Sequence, residues 1–307
     1  MSLLEKEKEW FIQAPWGRLC IVAWGDCSDP PVLVCHGSAD TIVSFRPLMA
    51  LLPSNFYYIG LELPGCGKSD SMPPGLMLSV FDLVYSIQVV VNHFRWKNFV
   101  FLAHSLGCIL GKLYDLSHPG KMSKCIDLDP ITLAFTFPVE KFHLWYKFFY
   151  LNYFDSYEKY NMSKGKRPTY TEEMALSKLM KRRGINSEIA KEIASRLTEP
   201  AGNGLVRFSF DDRITITTHP PYTTEYVKKL LKTVKTPTLT FVADESKKTG
   251  EYDQMEYFFD ESFSSNFKVK VVSGNHDVHV IHPERVSSFI TQFLLYGLPG
   301  LDGKAKL

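Results

Sequence analysis

The stretch FVFLAHSLGC, residues 99–108, passes from an apolar run to a helical pattern, with Ser105 at the corner. Phe99–Ala103 is apolar throughout, as in a strand buried on both faces. Leu106–Leu116 carries its apolar residues at helical spacing. Between them, Ala103-His104-Ser105-Leu106-Gly107 follows the G-x-S-x-G pattern of a nucleophile elbow, with alanine in place of the first glycine. Such a strained turn lifts a serine hydroxyl above the sheet, and small flanking residues let strand and helix pack closely beneath it. The Leu106 amide, at the start of the helix, is then placed to stabilise an oxyanion.

Outward from this corner the same alternation repeats. Pro31–Cys35, Phe56–Leu61 and Cys125–Leu128 read as buried strands, and Val43–Leu52 and Leu78–Phe94 as helices. EWFIQAP and RLCIVAW, on either side of a Trp16-Gly17 turn, read as a hairpin. After Pro130 the alternation stops. Residues 131–222 hold no convincing β run, only an aromatic stretch, FTFPVEKFHLWYKFFYLNYFDSYEKY, and two polar helices at Met174–Arg183 and Ser187–Leu197. Alternation resumes at Thr236 with TPTLTFVA, FKVKVV and a closing helix over Glu284–Leu295. The expected fold is therefore α/β, with a mostly parallel central sheet flanked by helices. Its core is residues 1–130 and 223–307, interrupted by a helical lid over 131–222.

Composition narrows the function classes. The chain of 307 residues is 45% hydrophobic and 22% charged, ordinary for a globular protein and unlike a disordered one. Its 35 Lys and Arg against 33 Asp and Glu are too balanced to indicate a nucleic-acid surface. No apolar run approaches the roughly 18–20 residues of a membrane span, and MSLLEKEKEW lacks a secretory layout. The expectation is a soluble intracellular protein. Its six cysteines, with no C-x-x-C pair, then read as free thiols, and the sequon Asn161-Met162-Ser163 as unused.

Two further segments fit the elbow. His36-Gly37-Ser38-Ala39-Asp40 follows the strand Pro31–Cys35, where a turn can give a second oxyanion donor, the Ser38 N–H. Gly274-Asn275-His276-Asp277-Val278-His279-Val280-Ile281-His282-Pro283 follows the last strand, where the general base belongs in the order Ser, acid, His. His276, nearest the strand, is chosen over His279 and His282. The rival reading, H-x-x-H-x-x-H as a metal site for assisted hydrolysis at His276, His279 and His282, lacks H-E-x-x-H spacing and clustered acids, and Pro283 argues for a loop, so no metal or other cofactor is expected. Gly65-Cys66-Gly67-Lys68-Ser69 is not a phosphate loop, because Glu62 stands where that motif needs glycine.

The stretches VLVCHGSADTIVSFRPLMALLP, FYYIGLELPGCGKSD, AHSLGC, IDLDP and GNHDVHVIHPERV resemble the α/β-hydrolase superfamily, and within it the serine hydrolase-like (kraken-type) proteins. That resemblance implies a hydrolase core with a helical lid, Ser105 as nucleophile and His276 as base. The family's G-x-x-D position for the acid falls on Ser246. Asp244 or Glu245, shifted by one or two residues, could serve, as could Asp129 at the end of Cys125–Leu128; a strand end is the more rigid place and favours Asp129.

The reading is a serine hydrolase for carboxylic esters or thioesters with an apolar acyl or aryl group. The aromatic stretch from Phe135 to Tyr160 would roof the pocket or pack the lid onto the core. A serine at the elbow argues against epoxide hydrolase and haloalkane dehalogenase chemistry, which passes through an enzyme carboxylate. The alternative is a non-catalytic protein of the same fold that binds a small apolar ligand. The terminal Ala305-Lys306-Leu307 is a conservative variant of the S-K-L peroxisomal address, implying the peroxisomal import receptor as a partner, with the cytoplasm as the other location.

Overall fold

The structure, a computed structural model, describes residues 2–162, 164–260 and 262–302. Ala305-Lys306-Leu307 and Ser163 of the sequon lie outside the described residues. Six strands come first: β1 Lys8–Ala14, β2 Gly17–Trp24, β3 Pro31–Cys35, β4 Tyr57–Leu61, β5 Phe99–His104 and β6 Met122–Leu128. A small hairpin follows, β7 Thr198–Gly202 and β8 Leu205–Phe208, and then β9 Thr238–Ala243 and β10 Phe267–Val272. All but the hairpin form one eight-stranded sheet in the order β1-β2-β4-β3-β5-β6-β9-β10. Only the β1–β2 and β2–β4 pairings are antiparallel, so the sheet is mostly parallel.

Burial on both faces explains the continuous apolar runs. Along β5, Phe101 and Ala103 enter one core while Val100 and Leu102 enter the other. The first core is covered by α1, Val80–Phe94, and α2, Leu106–Ser117. Leu83, Ile87, Val90 and Val91 face it from α1 at helical spacing. A capping box sets the start of that helix: the Ser79 hydroxyl accepts from Phe81 N–H, and Asp82 accepts from Ser79 N–H. The second core is covered by the closing helix Glu284–Tyr296, through Val286, Ile290 and Phe293.

Two local expectations differ from the structure, and one helix had none. Val43–Leu52 is not one helix but a 3₁₀ turn, Ile42–Phe45, followed by Arg46–Met49. Pro47 has no N–H to donate, so a helix can hold it only in the first turn, and the chain restarts there. Residues 131–222 do contain strands, the β7–β8 hairpin. Pro200 and the Gly202-Asn203-Gly204 turn, all three at positive φ, hide it from an apolar pattern. A helix not read from sequence occupies Thr224–Thr233, capped by Thr223.

Between β6 and β9 the chain leaves the sheet. Phe142–Asn161 winds through short helical segments, and α3, Glu172–Arg183, and α4, Ser187–Leu197, follow. No helix among the described residues is long and apolar enough to cross a membrane. All six cysteines are free thiols, buried except Cys27.

Candidate active site

The C-terminal ends of β3, β5, β6 and β9 meet at one place, and the turns that leave them carry the candidate residues. Ser105 follows β5 with φ 50° and ψ −116°, a left-handed conformation that costs a non-glycine residue about 1–3 kcal/mol. Its N–H donates to Leu128 O at 3.0 Å, so the neighbouring strand helps to hold the turn. Gly107 explains the motif's second small residue: a Cβ there would sit 2.7 Å from Cys35 O and 3.0 Å from His36 O. Leu106 is the first residue of α2, and the first amides of a helix have no intrahelical acceptor.

The turn after β3 is pinned by its histidine. His36 Nδ1–H donates to Gly37 O at 2.7 Å, and Nε2 accepts from Leu63 N–H at 3.0 Å. The Ser38 hydroxyl donates to Ile214 O at 2.9 Å, in the inserted segment.

His276 is held by a carboxylate from β6. Its Nδ1 lies 2.6 Å from Oδ2 of Asp129. Asp129 follows β6 at φ 44° and is fully buried. Its carboxylate also accepts from the Ser246 hydroxyl at 2.6 Å, the Tyr252 hydroxyl at 3.0 Å and Ala243 N–H at 3.0 Å. With His276 these donors occupy the roughly four acceptor sites a carboxylate offers. Burial alone would raise the pKa of Asp129, but the donors, His276 foremost, outweigh it and lower it, so the group is ionised at neutral pH.

Asp244 and Glu245 do not reach the ring. Asp244 accepts from Gly274 N–H at 2.9 Å and pairs with Lys248, while the exposed Glu245 donates its backbone N–H to Gly274 O at 3.2 Å. They tether the base of the histidine loop. Ser246, at the place where a family acid is expected, is buried and donates to the acid actually there.

The three histidines of H-x-x-H-x-x-H separate. His276 meets Asp129, His282 meets Glu284, and His279 is buried with its ring centre 4.2 Å from that of His104. His104 Nε2–H donates to His276 O at 3.0 Å and so fixes the loop backbone. Asp40, His104 and His279 have ligand atoms within 4.8 Å of one another, among the described residues the group that could hold a metal ion. Asp40 there is already bound to a guanidinium, an unfavourable neighbour for a cation.

That guanidinium, Arg183, is the main feature the sequence reading missed. It ends α3 and reaches from the inserted segment into the core. Its Nη1 donates to Asp40 Oδ1 at 2.6 Å and its Nε to Asp277 Oδ1 at 3.1 Å, while Asn275 Nδ2 donates to Arg183 O at 3.0 Å. One buried cation thus joins the turn after β3 to the loop that carries His276. Burial works against its charge, but the two carboxylates prevail and raise its pKa. In sequence Arg183 is one of several basic residues in KLMKRR, and no spacing distinguishes it.

Ser105 and His276 line one cavity of about 400 Å³, with Gly37, Ser38 and Asn275 also in its wall. A narrower pocket of about 140 Å³ adjoins it, lined by Ser38, Leu106 and apolar residues including Val80, Ile109, Phe149 and Ile214.

Comparisons with known proteins agree with this fold. The model of a family described as alpha/beta hydrolase fold matches residues 30–283. Serine hydrolase-like protein 2 of Homo sapiens is 28% identical over 295 residues, 92% of either chain. Among solved structures, a hypothetical protein from Pseudomonas aeruginosa PAO1 superposes with a TM-score of 0.77 at 21% identity, covering 94% of this chain and 99% of its own. The thioesterase domain from the curacin biosynthetic pathway superposes with a TM-score of 0.70 at 20% identity, covering 92% and 98%. At these identities the solved structures speak for the fold alone.

Two outcomes follow from the buried charges. Arg183→Met leaves Asp40 and Asp277 buried without their cation and lowers stability by about 3–5 kcal/mol in urea denaturation. Adding Asp40→Asn and Asp277→Asn to that variant recovers a large part of the loss. The second outcome concerns pH. Burial, and then the charge on His276, push the pKa of His104 down to about 4, and burial puts that of His279 well below the usual 6.5. The unfolded chain binds these protons first, so their contribution to stability is complete above pH 6.5 and is lost as pH falls toward 4. His279→Leu removes one such group, and its urea midpoint drops less than the wild type's between pH 7.5 and pH 5.

Proposed function

We propose a serine-esterase mechanism from one premise: the chain belongs to the α/β-hydrolase family. It is a hydrolase, and the observation that carries the finer reading is the 2.6 Å contact of His276 Nδ1 with buried Asp129, in the cavity that holds Ser105. His276 Nε2 takes the proton of the Ser105 hydroxyl while Oγ attacks the substrate carbonyl. The Ser38 and Leu106 amides receive the charge that forms on the carbonyl oxygen. The imidazolium, stabilised by ionised Asp129, returns its proton to the departing oxygen or sulfur, and an acyl-enzyme remains. Water, deprotonated by the same imidazole, then frees the acid and restores Ser105.

The substrate class is a carboxylic ester or thioester with an apolar acyl or aryl group. The pocket beside Leu106 supports this, being walled by aliphatic and aromatic side chains. The segment over 131–222 acts as the lid, with Phe135, Phe148 and Phe149 closing that pocket. A binding protein without turnover is the rival, and it drew its force from an acid missing at Ser246. The carboxylate of Asp129 beside His276 supports the enzyme instead.

A fluorophosphonate probe and a p-nitrophenyl ester test this reading. The wild type labels rapidly and turns the ester over; Ser105→Ala does neither. Asp129→Asn lowers kcat by up to about 10⁴-fold, as loss of the orienting acid does in serine proteases, whereas Asp244→Asn lowers it tenfold at most. Labelling that persists in Ser105→Ala, or ligand binding without labelling, would overturn the proposal.

For location, we propose import into peroxisomes through Ala305-Lys306-Leu307. A fluorescent protein fused to the N-terminus is expected in peroxisomal puncta, and in the cytoplasm once the tripeptide is deleted; diffuse signal from both would reject it.

A further inference from the structure

Ser105 lines one of two neighbouring spaces, and Asp and Arg side chains stand in the wall of that one alone. On the Leu106 side is the narrow apolar pocket; on the His276 side is the larger cavity, whose wall includes Asn275, Arg182 and Arg183. The mechanism above fixes which half of a substrate enters which space. The group that departs is the one His276 must protonate, so it lies on the His276 side. The acyl part then fills the apolar pocket.

The charges around the leaving-group cavity are Asp40, Asp277, Arg182, Arg183 and His276. Asp40 and Asp277 are buried and both bind Arg183, and His276 is held by Asp129. Arg182 differs from all of these. It lies in the last turn of α3, is exposed, and has no hydrogen bond or ion pair among the described residues. Its side chain faces a space where Asp40 is taken by Arg183 and Ser44, and Asp277 binds Arg183 through Oδ1.

We propose that the leaving group of the natural substrate is an alcohol or thiol bearing an anion, a carboxylate or a phosphate, and that Arg182 binds that anion. The proposal rests on the reading of Ser105 and His276 as nucleophile and base. It adds a specificity for the part of the substrate that the apolar pocket does not touch. A guanidinium suits either anion, since its planar fork matches both geometries.

Two chromogenic esters with the same acyl chain test it: p-nitrophenyl hexanoate and its 3-carboxy-4-nitrophenyl counterpart, which differs by one carboxylate on the leaving group. The quantity read is the ratio of kcat/KM, anionic over neutral ester. Arg182→Ala lowers this ratio about fivefold, the scale of a partly exposed ion pair, and Arg182→Glu lowers it further. Arg182→Lys restores part of it, and raising the salt lowers it in the wild type but not in Arg182→Ala. A ratio equal within twofold in the wild type, Arg182→Ala and Arg182→Glu overturns the proposal.

A binding arm separates this from failure of the hydrolase reading. In Ser105→Ala, calorimetry compares the affinities of the same two esters, with and without Arg182→Ala. If the wild type turns over neither ester, the mechanism fails, yet tighter binding of the anionic ester that Arg182→Ala abolishes still supports the anion site. Equal affinities overturn it whatever the turnover.

Discussion

A buried carboxylate is tolerable only when its acceptors are filled, and Asp129 meets that condition with four groups from three places in the chain. Ser246 and the Ala243 amide come from the end of β9, Tyr252 from the segment beyond it, and His276 from the loop after β10. Removing any one of them leaves an acceptor stranded in a dry interior, which costs more than the hydrogen bond contributes when made. The imidazole is therefore positioned by a network that cannot relax one member at a time. The left-handed backbone of Asp129 and Ser105, side by side at the edge of the sheet, is sustained by the same surroundings.

Arg183 does for the approach to the site what Asp129 does for its base. The turn after β3 and the histidine loop have no strand pairing to hold them together beyond the sheet. A single guanidinium with a carboxylate on each side bridges that gap, and it comes from the inserted segment rather than the core. The position of the inserted helix α3 is thereby coupled to the two turns that frame the catalytic serine. A displacement of that helix would uncover two buried negative charges, and it would also open the apolar cluster in which Leu179, Ile185 and Ile193 pack against Val280 of the histidine loop.

What could be read from sequence and what could not divide along a physical line. Strands buried on both faces announce themselves as apolar runs, and β3 matches its expected bounds residue for residue; so does β10, an edge strand with alternating lysines. The strand-turn-helix around Ser105 was legible because it is local: every constraint on it lies within a few positions. The hairpin over Thr198–Phe208 was not, since strands that pair only with each other need no apolar face. Arg183, Ser246 and Tyr252 act at sequence separations of about a hundred residues, and each is of a type common on surfaces. Nothing in the neighbours of Arg183 separates it from Arg182, although one is clamped between two carboxylates and the other is exposed.

The acid's position shows why one site in the sequence need not determine one site in space. β6 and β9 are hydrogen-bonded neighbours, with Leu128 opposite Phe241. A residue just past β6 and a residue a few places past β9 therefore come out beside each other at the same edge, and the Asp129–Ser246 contact of 2.6 Å shows how close. Either position can present a carboxylate to an imidazole arriving from the loop after β10. Where the acid occupies the β6 end, the β9 position must hold a group that donates to it, and a serine hydroxyl does so without adding a second negative charge. The serine that looked like a gap in the pattern is the complement of an acid placed one strand away.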